Sequence, residues 1–176
     1  MLLHCRNIIL LLAAGLSSCS KISTFSTTPV ITHRSLSYTE QLMAPDPIFV
    51  NSLRDTVKIA QLSFSLTDGD GDIGRTNSTP PDSTSPGLHI WLYLPSPVGP
   101  IPVPDTAFGY LYYQLPEIEV YSTAGQIKTE ILVTIDSYRK SLFPHNTIIY
   151  RYYAVDKAGH RSNTVLTAPA SIVPLP

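Results

Sequence analysis

The chain has 176 residues, with twelve basic and thirteen acidic side chains and a net charge of −1. So even a balance, with no basic stripe, argues against nucleic acid or an anionic membrane surface as the partner. Only two cysteines are present, Cys5 and Cys19.

Arg6 is the lone cation ahead of an apolar stretch from Ile8 to Ala14, and small residues then lead to Cys19. This is the layout of a secretory signal peptide over residues 1–18. The apolar run falls far short of the roughly 20 residues a spanning helix needs. Leu16-Ser17-Ser18-Cys19 resembles the lipobox of bacterial lipoproteins, in which the cysteine takes a diacylglyceryl group and the peptide is cut ahead of it. A plain signal-peptidase site with an incidental cysteine is the competing reading, and the complete motif outweighs it. The expectation is a lipidated N-terminus at Cys19, because two or more acyl chains give stable membrane attachment where one does not. Processing would remove Cys5 and Arg6, leaving no disulfide and eleven basic against thirteen acidic residues. The remaining length suits one domain held by its core.

From Ser20 to about Asp55 the chain is rich in Ser, Thr and Pro without a sustained period. Residues 19–55 are therefore expected to form the lipidated terminus and a tether, and residues 56–176 the domain. Ala60 to Thr67 alternates apolar and polar residues without a break, which predicts a half-buried strand. A polar loop from Arg75 to Gly87 precedes a second strand, Leu88 to Leu94. The proline-rich run Pro95 to Pro104 is expected to be an extended loop, since proline donates no ladder hydrogen bond. Further strands are predicted at Phe108–Leu115, Glu117–Tyr121, Ile127–Ile135, Thr147–Val155 and from about Asn163, while Asp136 to Phe143 has room for a short helical turn. Asp156-Lys157-Ala158-Gly159 reads as a tight hairpin pairing the last two strands. About seven strands separated by turn signals predict an all-β sandwich.

Asp68, Asp70 and Asp72 alternate with Gly69 and Gly71, and Gly74 follows. Hard oxygen ligands at alternate positions on a glycine-flexible loop suit Ca²⁺. An EF-hand is excluded, because its twelfth loop position would be Thr79 and not a bidentate glutamate. The competing reading is an acidic turn facing water, since Asp-Gly pairs form turns readily. A calcium loop here would need further ligands from backbone, water or a distant residue such as Asp82 or Asp156.

Three stretches, Phe64 to Gly74, Leu115 to Ile118 and Val155 to Val165, follow the lipobox in that order. Together they resemble a family of small Bacteroidota lipoproteins with an immunoglobulin-like domain and no attached activity, over roughly Val57 to Ile172. The resemblance implies an immunoglobulin-like sandwich and an envelope address. By analogy, Ser20 after the lipid cysteine favours outer-membrane delivery, and the absence of acidic residues in Lys21-Ile22-Ser23-Thr24 favours the periplasmic face over the cell surface.

Trp91 and tyrosines 110, 112, 113, 121, 150, 152 and 153 offer rings for a sugar or protein ligand, but cross-strand packing accounts for them more cheaply. Catalysis has little to stand on: the chain has no Gly-x-Ser-x-Gly, no His-Glu-x-x-His and no thiol after processing. His89, His145 and His160 read as packed or solvated. The expectation is a non-catalytic binding or structural module, with a carbohydrate-processing or other hydrolytic enzyme as the alternative. Asp82-Ser83-Thr84 and Asp105-Thr106-Ala107 resemble Bacteroidota O-glycosylation sites, at Ser83 and Thr106, and Asp55-Thr56-Val57 matches the pattern less usefully. Asn77-Ser78-Thr79 is a sequon without a setting that would use it.

Overall fold

Ala60, Leu62, Phe64 and Leu66 are all fully buried, because a strand sends alternate side chains to one face. They belong to the second of nine strands in the computed structural model, which describes residues 25–42, 56–74, 84–104, 109–118, 125–139 and 146–171. The strands are β1 (Val30–Leu42), β2 (Thr56–Asp68), β3 (Gly87–Leu94), β4 (Ile101–Pro102), β5 (Tyr110–Tyr113), β6 (Ile127–Arg139), β7 (Thr147–Val155), β8 (Val165–Leu166) and β9 (Ala170–Ser171).

One antiparallel sheet has the order β1-β2-β6. In the other, β3 and β7 are central: β4 and β5 pair along the free side of β3, and β8 and β9 along the free side of β7. The chain crosses between sheets from β2 to β3, from β5 to β6 and from β6 to β7, while β7 and β8 remain in one sheet. That is an immunoglobulin-like β-sandwich, with β1, β2 and β6 facing the sheet built on β3, β7 and β8.

Leu62, Phe64, Leu66, Ile127, Val133 and Ile135 from the first sheet meet Leu88, Ile90, Leu92, Ile148, Tyr150 and Tyr152 from the second in one core. The Phe64 ring lies 5.6 Å from that of Tyr152. Each fully buried large apolar side chain contributes roughly 1.5–3 kcal/mol, which is how a domain without disulfides is held.

The tether assignment for 19–55 is corrected over residues 30–42, and residues 43–55 lie outside the described residues. Residues 30–42 form β1, paired with β2 along its whole length. A bulge between His33 and Ser35 moves the inward-facing set from Ile31 and His33 to Leu36 and Tyr38, so the apolar spacing loses its period of two. The same device extends β6. Lys58 pairs with Tyr138 but Ala60 with Ile135, so one extra residue sits in β6 and Asp136 to Arg139 continue the strand where a helical turn was expected.

Smaller differences follow from edge position. Ile101 pairs with Leu94 and Pro102 with Tyr93 inside the expected proline-rich loop, which proline tolerates at a sheet edge. Glu117 and Ile118 lie outside any strand, and β8 starts at Val165. The hairpin forms as expected: Gly159 N donates to Asp156 O at 3.2 Å, and Gly159 has φ 88°, a left-handed conformation that suits glycine.

Candidate metal centre

Asp68 is the last residue of β2, and Asp156 immediately follows β7. Because β2 and β7 leave their opposed sheets at the same end, the loop after β2 lies against the turn after β7. Lys157 N donates to Asp72 O at 3.1 Å, and Ala158 N donates to Asp72 Oδ2 at 2.9 Å. Glu117 adds an ion pair to the turn, with Lys157 Nζ 2.7 Å from its Oε1.

The loop folds around its first aspartate. Asp68 Oδ2 accepts from Gly71 N at 2.9 Å and from Asp72 N at 3.2 Å, and a left-handed Gly71 (φ 73°) lets the backbone curl to present both amides. Asp156 does the same for its turn: its Oδ1 accepts from His160 N at 2.7 Å, and its Oδ2 lies 3.0 Å from His160 Nδ1.

One carboxylate oxygen from each of Asp68, Asp72 and Asp156 falls in a group whose members lie within 4.8 Å of one another. Asp68 and Asp156 are fully buried. Asp68 Oδ1 and Asp72 Oδ1 are buried and receive no hydrogen bond. A buried neutral acceptor left unpaired costs about 1–3 kcal/mol, and a charged one more. Among the described residues, no lysine or arginine pairs with any of the three. Burial, with the Asp70 and Asp72 charges adding to it, pushes Asp68 up to about 6. Burial and the charge of Asp156 push Asp72 upward too, against the opposing Ala158 amide. Clustered carboxylates resisting ionisation are a place where a cation would be strongly favoured.

All three donors are hard oxygens, which suits Ca²⁺, Mg²⁺ or Mn²⁺ better than a zinc site of nitrogen and sulfur ligands. A cation about 2.4 Å from each oxygen fits a cluster of this span. Of the three aspartates expected to form the loop site, Asp68 and Asp72 are in the group. Asp70 is exposed and outside it, and Asp156 takes the third place. Cys19, Ser83, Thr106, Asp82, His145 and Tyr121 lie outside the described residues.

Among the described residues, His89 and the aromatic rings around it pack against one another. His89 is fully buried on the outer side of β3, with Nε2 2.8 Å from Ser85 O and Nδ1 2.7 Å from the Tyr110 hydroxyl. Its ring stacks with Tyr153 at 5.0 Å, and Tyr153 stacks with Trp91 at 5.0 Å. The Arg161 guanidinium covers Tyr153 from 3.5 Å. Tyr153 is thus occupied by neighbouring rings and a cation, while Trp91, Tyr110, Tyr112 and Tyr113 are half-buried. Tyr150 and Tyr152 are in the core. His160 does bond a carboxylate, but its side chain is 46% exposed and stands in the open.

No family model, curated protein or solved structure matches the chain.

Proposed function

We propose that this chain is a lipid-anchored envelope protein, attached through Cys19 and delivered to the outer membrane, whose sandwich is a non-catalytic binding or structural module stabilised by Ca²⁺. The observation that carries the calcium reading is the pair of buried, unpartnered carboxylate oxygens on Asp68 and Asp72 inside a three-aspartate group. Such a group is unfavourable when empty and favourable around a divalent cation. It lies between the β2–β3 and β7–β8 connections, the end at which variable immunoglobulin domains present their binding loops. A protein or glycan ligand docking at that end is the role that fold analogy supports.

The packing of His89 supports the non-catalytic part, since both its ring nitrogens are engaged, by Ser85 and Tyr110. The signal-like residues 1–18 and the lipobox support the address.

Two measurements test the reading. Thermal unfolding should show a higher midpoint in CaCl₂ than in EDTA, because a ligand that binds only the folded state stabilises it; equal midpoints would remove calcium. Cys19→Ala should release the protein from the membrane fraction or leave it unprocessed, and wild-type behaviour in both respects would remove the anchor.

A further inference from the structure

We propose that the cation is held by Asp68, Asp72 and Asp156, with Asp70 outside the ligand set, and that it clamps one sheet of the sandwich to the other. This rests on the calcium reading above and adds the ligands and the mechanical role.

The ligand set follows from placement. Asp68 ends a strand of the β1-β2-β6 sheet, and Asp156 follows the central strand of the other sheet. Asp72 stands between them, fastened to the turn by the amides of Lys157 and Ala158. Three carboxylates from these two loops repel one another across the join, so in the absence of a cation their charges work to separate the sheets' ends. A cation between them reverses the sign of that interaction. Asp70 reaches Asp68 and Asp72 with its charge and a side-chain hydrogen bond, but it is exposed and is not one of the three residues whose carboxylate oxygens all lie within 4.8 Å of one another.

The ion follows from the donors. Three carboxylate oxygens fall short of the about six to eight that Ca²⁺ takes, so water and backbone carbonyls complete the shell. Ca²⁺ tolerates such an irregular shell, whereas Mg²⁺ demands near-octahedral geometry and gives up water reluctantly. Affinity should match weak extracellular modules, on the order of 10⁻⁴ to 10⁻³ M.

The clamp has a local signature. The amides of Ala158 and His160 donate to Asp72 Oδ2 and Asp156 Oδ1, so both are fixed by the carboxylates that would bind the ion. Loading the site should slow hydrogen exchange at these two amides.

The test uses the full processed protein in detergent, with CaCl₂ and MgCl₂ at about 10 mM, well above the expected dissociation constant, and with EDTA as the reference. Calcium should raise the wild-type melting midpoint by about 5 °C, magnesium by less. Asp70→Asn should keep most of the calcium shift, while Asp72→Asn and Asp156→Asn should lose it. In EDTA, Asp72→Asn should melt no lower than the wild type, because the amide still accepts from Ala158 and the repulsion is gone. Should Asp156→Asn fail to fold, Asp72→Asn and the exchange rates decide. An undiminished calcium shift in Asp72→Asn or Asp156→Asn, or its loss in Asp70→Asn, overturns this ligand set and leaves calcium stabilisation standing. Unchanged exchange at Ala158 and His160 in a protein whose midpoint rises overturns the clamp. No wild-type shift overturns both this inference and the reading beneath it.

Discussion

The side-chain amide of Asn163 pairs with the main chain of Ile31 as a neighbouring strand would. Ile31 N donates to Asn163 Oδ1 at 2.8 Å, and Asn163 Nδ2 donates to Ile31 O at 2.9 Å. Ile31 belongs to β1 in one sheet, and Asn163 lies just before β8 in the other, so one side chain joins the edges of both. It provides a second link between sheets that does not depend on charge.

Asn163→Ala leaves the amide and carbonyl of a buried residue unpaired. The expected loss is about 2 kcal/mol, from two hydrogen bonds and the desolvation of their orphaned partners. Urea unfolding should show a lower midpoint at unchanged slope. A loss within experimental scatter would mean that water replaces the amide without cost.

Phe64→Ala should cost about 3–5 kcal/mol. Phe64 is fully buried and its ring packs on Tyr152 from the opposite sheet, so truncation opens a cavity between sheets that alternation along β2 cannot close. Phe64→Leu should cost less than half of that by the same unfolding measurement.

Gly159→Ala isolates backbone strain. Nothing lies within 4 Å of the place a Cβ would occupy, so the left-handed φ of 88° is the only penalty. A loss of roughly 1–2 kcal/mol is expected, and Gly159→Asn should recover part of it because asparagine tolerates that conformation better.

Alkaline stability should depend on Tyr38. Burial pushes its hydroxyl up to about 12, with the Tyr150 hydroxyl opposing, and burial pushes Tyr152 higher still. The unfolded phenol ionises near about pH 10. The folded state therefore keeps a proton that the unfolded state gives up, and stability, full below about pH 10, declines as pH rises toward 12 and beyond. Tyr38→Phe should flatten that decline when urea midpoints near about pH 9 and pH 11 are compared, and an unaltered slope would show that Tyr38 ionises freely in the folded protein.

Much of the architecture is readable from residue order alone. The unbroken alternation from Ala60 to Thr67 marks a strand, and its even-numbered residues from Ala60 to Leu66 are the fully buried ones. Thr147 to Val155 is a strand over that same span, and the Asp156–Gly159 turn follows from residue types that form turns locally. Alternation is a nearest-neighbour signal, and these segments keep their register throughout. Both extended segments that resisted it, β1 and the end of β6, contain a bulge. One extra residue transfers the inward set to the other parity, and only the partner strand determines where that happens.

The acidic centre divides along the same line. The run from Asp68 to Asp72 announces clustered carboxylates because those residues are adjacent, and their repulsion needs no fold to be inferred. The run does not say which of them turn inward. Asp70 is exposed, while Asp72 reaches a backbone amide at Ala158, 86 residues along the chain. That contact, and the place of Asp156 beside Asp68, exist because β2 and β7 end on the same side of two opposed sheets. Local chemistry determined that the loop would be acidic and glycine-rich, and sheet packing, a sum of core contacts distant in sequence, decided which carboxylates meet.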